Sequence, residues 1–377
     1  MASPSARVSL GAKLIRWSRR QARNLPWRCA LDPAPSRTGH TAGAPEPGGA
    51  GPYRIWISEI MLQQTRVETV IPYYRSFLKR FPRVKSLARS DRQSVLRVWE
   101  GLGYYSRARN LHRAAREIVS SFNGRFPRSA ADWERLPGVG RYTAAAIASL
   151  AYNERAIALD ANAKRILARI YAYQRALRGT RAERDLAVRF QSARGASAPG
   201  KFFQAMMDLG QLVCLPRQPL CSECPIASHC ESKRLGIQNR LPLRPKPARI
   251  PHYDVTAAVI LRSDKVLLAR RPEGKILGGM WEFPGGKRER GESLPACLRR
   301  ELREELGVSV RVLEPIAVVQ HAFTHFRITL HVFRCDSMRG RPRPIDGAAV
   351  RWVRIVRLRL FPMGRADRIV AGRIADR

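Results

Sequence analysis

The chain changes texture once, and that change constrains the fold more than any single motif. From Tyr53 to about Arg175, apolar residues recur with a helical period in runs such as SVLRVWEGL and AKRILARIYAY, punctuated by Pro72, Pro82, Pro127 and Pro137. Beyond Pro251 the pattern becomes β-branched runs, YDVTAAVIL, VLLA, VSVRVL and FRITLHVF, around one helical segment, LPACLRRELREEL. An all-α part is therefore followed by an α+β part. Between them, residues 236–251 (GIQNRLPLRPKPARIP) hold four prolines and four basic residues and little that could build a core, which predicts an extended linker. The expected organisation is an all-α domain over 1–235, the linker at 236–251, an α+β domain over 252–365 and a basic tail at 366–377. Residues 29–52 contain 15 Ala, Gly or Pro among 24 and predict a flexible insertion.

Charge narrows the function. The 377 residues carry 69 Lys plus Arg against 30 Asp plus Glu, a formal net charge of +39. Such a surplus repels itself in a compact protein, and a polyanion is the partner that neutralises it. Nucleic acid is expected. No apolar run approaches the roughly 20 residues of a bilayer helix, and the N-terminus lacks the apolar core of a secretion signal. The expectation is a protein of the cytoplasm, associated with the nucleoid, without a membrane partner.

Four of the seven cysteines, Cys214, Cys221, Cys224 and Cys230, crowd into 17 residues, whereas Cys29, Cys297 and Cys335 stand alone. One tight cluster in an odd total reads as an intracellular metal site rather than a disulfide framework. Spacing alone leaves zinc and iron–sulfur both open, since each accepts four thiolates.

Three local patterns carry chemistry. The turn Leu136-Pro137-Gly138-Val139-Gly140-Arg141 lets the backbone bend and come close to another molecule, and the N–H groups opening the next helix suit a phosphate. An ordinary helix connection is the plain alternative. Asp160 precedes Ala161-Asn162 and an amphipathic helix, where capping competes with catalysis. Glu59 lies in a largely apolar segment, Ile55-Trp56-Ile57-Ser58-Glu59-Ile60-Met61-Leu62, so its carboxyl should hold a proton near neutrality and be able to donate it.

The segments SEIMLQQT, GLGYYSRARNL, LPGVGRYTAAAI and LDANAKRILAR, with the cysteine cluster and the C-terminal part, resemble the adenine DNA glycosylases of the helix-hairpin-helix superfamily over nearly the whole chain. The resemblance implies an all-α helix-hairpin-helix glycosylase domain, with a six-helix module at about 53–165 and an iron–sulfur module, followed by a Nudix-like α+β domain. It implies removal of adenine mispaired with 8-oxoguanine or guanine in double-stranded DNA, by a monomer. Glu59 would be the general acid at adenine N7 and Asp160 the carboxylate beside C1′, while Tyr142 and Asn162 hydrogen-bond these groups and the sugar. Related endonuclease III-type enzymes carry a Schiff-base lysine where this chain has Tyr142, so a monofunctional glycosylase leaving an abasic site is expected. A bifunctional lyase and a non-enzymatic DNA-binding module are the rivals. Gln64 and Tyr104 match intercalating residues, with Leu102 close by, and packing is the alternative for Leu102 and Tyr104. Gly138 and Gly140 would face DNA. Cys214, Cys221, Cys224 and Cys230 would hold a [4Fe–4S] cluster.

Gly286-x5-Glu292-x7-Arg300-Glu301-Leu302-x-Glu304-Glu305-x-Gly307-Val308 meets every position of the Nudix signature. On a helix, Glu301, Glu304 and Glu305 would form a carboxylate cluster suited to Mg2+ on a diphosphate, giving a pyrophosphohydrolase as an additional activity. The alternative is a solvated helix in which Arg300 pairs with Glu304. Phe323-Thr324-His325 resembles the Phe-Ser-His loop with which the family contacts 8-oxoguanine, with Thr324 in place of Ser.

Overall fold

The computed structural model describes residues 9–21, 23, 25–28, 51–243, 250–345, 347 and 349–376. Nearly all of the expected insertion at 29–52 and the centre of the linker lie outside the described residues. By its internal contacts the chain forms two units, Met1–Ala88 with Arg113–Lys246, and Arg89–His112 with Pro247–Arg377.

The helices in chain order begin with α1 (Leu10–Arg20), α2 (Pro52–Leu62), α3 (Val67–Arg80), α4 (Val84–Arg89), α5 (Arg92–Trp99) and α6 (Ser106–Ser121). They continue with α7 (Ala130–Glu134), α8 (Arg141–Tyr152), α9 (Ala161–Ile170), α10 (Thr180–Arg194), α11 (Pro199–Leu212) and the short α12 (Glu231–Arg234). Pro72, expected as punctuation, sits inside α3. It lies past the first turn, so it costs the helix the amide that would bond the Glu68 carbonyl.

The first unit is organised around α8, α9 and α11. Residues 144–148 are almost fully buried on α8, and the small side chains of Ala145 and Ala146 admit Phe202, Phe203 and Met206 of α11 and Ile166 and Leu167 of α9. Gly200 allows the closest approach, because a Cβ there would stand 2.4 Å from the carbonyl oxygen of Ser149.

The second unit holds a six-stranded sheet of β1 (His252–Arg262), β2 (Lys265–Arg270), β3 (Trp281–Glu282), β4 (Ser309–Ala322), β5 (Arg327–Arg339) and β6 (Ala349–Arg354). The order is β3-β2-β1-β5-β4, with β6 paired to β2, and β1 runs parallel to β5. Alternation along β1 sends Ala258 and Ile260 towards Leu298, Leu302 and Leu306 of α13 (Leu294–Leu306), and Ala257 and Val259 to the opposite core.

Two sequence expectations need correction here. Residues 366–377 are not a basic tail: α14 (Arg365–Ala375) buries Ala366, Val370, Ala371 and Ile374 against the Ala257 and Val259 side of the sheet. Its helical period was masked by the interleaved Arg365, Arg368 and Arg373. Residues 89–112, expected in the all-α domain, group with the sheet, because α5 and the loop after it are tied to the Arg271–Trp281 segment and to α14.

Candidate active site

Helix α2 is apolar on almost every side, and Tyr53, Ile55, Trp56, Ile57, Ile60 and Met61 are buried with Glu59 among them. Glu59 is 6 % exposed. It borders a cavity of about 550 Å³ that is also lined by Tyr142, Asp160 and Asn162. The two acids, a hundred residues apart in sequence, thus face one chamber. Its volume lies within the roughly 300–1,000 Å³ typical of ligand pockets.

The carboxyls have unlike surroundings. Burial pushes the Glu59 pKa up, the charge of Asp160 pushes it further, and the Arg28 guanidinium pulls it back, leaving it at about 7. Asp160 is the N-cap of α9: Oδ1 accepts from the amide of Ala163 at 2.6 Å and Oδ2 from Nδ2 of Asn162 at 2.8 Å. The positive end of the α9 dipole adds to these donors. Capping and a functional role therefore fall on the same side chain. Tyr142, in the first turn of α8, has its pKa raised well above the ordinary phenol value by burial and by both carboxylates.

Asn162 is held in turn. Its Oδ1 accepts from Nη2 of Arg165 at 2.9 Å, and that guanidinium also donates to the carbonyls of Gly210 at 2.6 Å and Cys214 at 2.9 Å. A Cβ at Gly210 would stand 2.7 Å from that of Asn162. Behind Glu59, Nη1 of Arg28 donates to both oxygens of Asp208 at 2.9 and 3.0 Å, and Ser18 adds a bond at 2.8 Å. Asp208 is fully buried. Sequence reasoning missed Arg28, Arg165 and Asp208, although a signal for Asp208 was present: it is the sole acid in the apolar run PGKFFQAMMDLGQL, the same anomaly that exposed Glu59.

Comparison with known proteins agrees with this geometry. Residues 57–192 match the HhH-GPD superfamily of base excision DNA repair proteins, and residues 256–371 match the NUDIX domain. The adenine DNA glycosylase of Mus musculus is 33% identical over 91% of this chain and 73% of its own. The chain belongs to the adenine DNA glycosylase family. The Homo sapiens member is 32% identical over 90% of this chain and 69% of its own. A Buchnera aphidicola member is 46% identical over 48% of this chain and 51% of its own. The chain is thus a hydrolytic DNA N-glycosylase of base excision repair, with a helical domain followed by a Nudix-like one.

In this adenine DNA glycosylase family member, Gly138 adopts φ +77° and Gly140 caps α8 without a side-chain bond, with open space where its Cβ would be. Gln64 and Tyr104 both have left-handed backbones, φ 58° and 49°. Such conformations are uncommon outside glycine and gather at functional sites. Tyr104 is 38% exposed, whereas Leu102 is 5% exposed and packs inward. Phe323, Thr324 and His325 form the turn between β4 and β5, not a strand, with Phe323 stacked on Phe326 at 4.5 Å and Thr324 and His325 exposed. The hydroxyls of Tyr104 and Thr324 are hydrogen-bonded to each other.

Cys214, Cys221, Cys224 and Cys230 border one small cavity of about 20 Å³. Arg169, 2% exposed, donates to Sγ of Cys214 at 3.2 Å, so a buried cation already faces the thiols. This donor set fits a thiolate-bound iron–sulfur group. On α13, Arg300 donates to Glu292 at 3.0 and 3.1 Å and to Glu301 and Glu304 at 3.0 Å each. Burial and the charge of Glu301 raise Glu305 to about 7. Among the described residues, no group of three His, Cys, Asp or Glu, neither the four cysteines nor the α13 glutamates, is arranged to hold a metal ion as the side chains stand. The Arg300–Glu304 pairing expected of a solvated helix is present on α13.

Proposed function

We propose that this protein excises adenine mispaired with 8-oxoguanine or guanine in duplex DNA and leaves an abasic site. The observation that carries the reading is the shared cavity on which Glu59, protonated near neutrality, meets Asp160. An N-glycosidic bond to a purine breaks readily only when the departing base is neutralised and the sugar cation is stabilised. Glu59 gives its proton to adenine N7, the C1′–N9 pair of electrons leaves with the base, and Asp160 faces the positive sugar centre. A water oxygen then bonds to C1′ as its proton passes to the Glu59 carboxylate, which restores the acid. Tyr142 and Asn162 hold the carboxylates in place. Of the described residues lining the cavity none is a lysine, which supports hydrolysis without Schiff-base strand cleavage.

Gln64 and Tyr104 enter the stack to offset the few kcal/mol of extruding the base. Gly138 and Gly140 bring backbone amides to a phosphate. Thr324 offers a hydroxyl to the base opposite adenine, flanked by Phe323 and His325. The four cysteines hold a [4Fe–4S] cluster, which fixes their loop and supplies no step of the hydrolysis. An iron-containing brown protein is expected, and a colourless zinc protein would reverse that assignment. The Mg2+-dependent activity of the Nudix-like domain is not favoured, because Arg300 engages Glu292, Glu301 and Glu304. The net charge of +39 suits residence on DNA at the nucleoid, in the cytoplasm.

The test uses duplexes with adenine opposite 8-oxoguanine, guanine or thymine, followed by alkali. The first two should be cut after alkali and not before it, and Asp160→Asn should bind but not react. Equal processing of all three would refute the mismatch preference.

A further inference from the structure

The turn that carries Tyr104 is poorly suited to hold itself. Gly101, Gly103 and Tyr104 have φ of 94°, 77° and 49°, three left-handed residues in four, following immediately on α5. Within the segment, the Trp99 indole donates to the Gly103 carbonyl at 3.1 Å and Arg107 donates to the carbonyls of Leu102 and Gly103 at 3.3 and 3.2 Å, while the Tyr104 hydroxyl is bonded to that of Thr324. Both of its flanks, however, are fastened to the Nudix-like domain. Glu100, one residue before the turn, accepts from Nε and Nη2 of Arg368 at 2.5 and 3.0 Å. Arg368 is itself aligned by donating to the carbonyls of Leu358 and Phe361. Earlier on the same segment, Gln93 donates to the Gly279 carbonyl at 3.1 Å and accepts from the Trp281 indole at 3.3 Å. After the turn, Arg109 donates to the Gly278 carbonyl at 2.7 Å.

We infer that the Glu100–Arg368 pair is a positioning device for base extrusion: the Nudix-like domain, through α14, holds the Tyr104 turn rigid against the duplex. The inference rests on the proposed role of Tyr104 in the stack. Two arguments carry it. A wedge must resist the restacking of the helix it opens, so a glycine-rich turn needs an external brace. A bidentate guanidinium–carboxylate contact that is mostly buried fixes orientation as well as distance, which a single bond would not. The pair lies outside the Glu59–Asp160 cavity and touches no reacting atom, so its loss should affect extrusion and leave the chemistry alone.

The experiment measures single-turnover rates at saturating full-length protein on the adenine:8-oxoguanine duplex, for Glu100→Gln, Arg368→Gln and the double variant. In parallel, an Asp160→Asn background reports extrusion through the fluorescence of 2-aminopurine placed at the target adenine. Each single variant should lose about tenfold in rate, the double variant no more than either single, as expected of one shared interaction. The fluorescence rise should fall in step, while the pH midpoint of the residual rate stays where it is in the parent. Unchanged rates, additive losses, or a full fluorescence rise accompanying a slowed rate would each overturn the inference. Tyr104→Ala separates the two levels. If it slows the reaction while Arg368→Gln does not, the brace fails and the wedge stands; if it has no effect, both fail.

Discussion

Glu59 owes its proton to its neighbours on α2. An apolar helix withholds the water a carboxylate needs, and Asp160 across the cavity adds repulsion, so the acid stays protonated to about pH 7. The rate should therefore fall as pH rises through about 7, when the donor is lost. Arg28 opposes this shift, so Arg28→Gln should move that midpoint to higher pH, and a midpoint moving lower would contradict the assigned electrostatics. The same proton is linked to stability. The folded value lies above the roughly 4.3 of an unfolded chain. Stability from this group is thus full below about pH 4 and lost progressively as pH rises through 7. Glu59→Gln should accordingly stabilise the protein at pH 8 by about 3–4 kcal/mol, at about 1.4 kcal/mol per pKa unit, and by little near pH 4 in denaturant titrations. Glu59 was legible in the sequence because a charge inside an apolar run is an anomaly at any position. Arg28 was not, since nothing in one chain shows that it will meet Asp208, 180 residues later.

Among the elements, α9 shows how far local patterns reach. The Asp160-Ala161-Asn162 start announced a cap, and the cap formed; that Asn162 would lean on Arg165 and on the Gly210 backbone needed the packing of α9 against α11. Gly210→Ala places a methyl 2.7 Å from the Asn162 Cβ, and α11 is too tightly packed to move away. It should lower the single-turnover rate about 10²-fold, the order of loss from a displacement of about 1 Å at a reacting centre, while duplex affinity changes little. A variant with the parent rate would show that Asn162 does not depend on this contact. Phe323-Thr324-His325 resembles a loop in sequence, and the pairing of the Phe323 amide with the Phe326 carbonyl closes the β4–β5 connection into a turn. α14 escaped notice for the opposite reason, as arginines on its outer face outweigh four buried apolar positions in a composition count.

On the scale of the whole molecule, the boundary between two textures was plain from period alone, because helices and strands repeat at different intervals. The grouping of residues 89–112 with the C-terminal sheet was not, since their local pattern is as helical as that of their neighbours and only long-range bonds reassign them. A net charge of +39 makes duplex binding strongly dependent on counterions. Affinity should drop by about 10³-fold or more between about 50 and 200 mM salt, as for proteins neutralising six or more phosphates. A flat salt response in a binding titration would remove nucleic acid as the reason for the charge. The position of α14 has a genetic corollary. A frameshift or stop codon just after Phe361 would remove α14, unroof one side of the sheet and take Arg368 with it. Such truncating alleles should behave as severe ones.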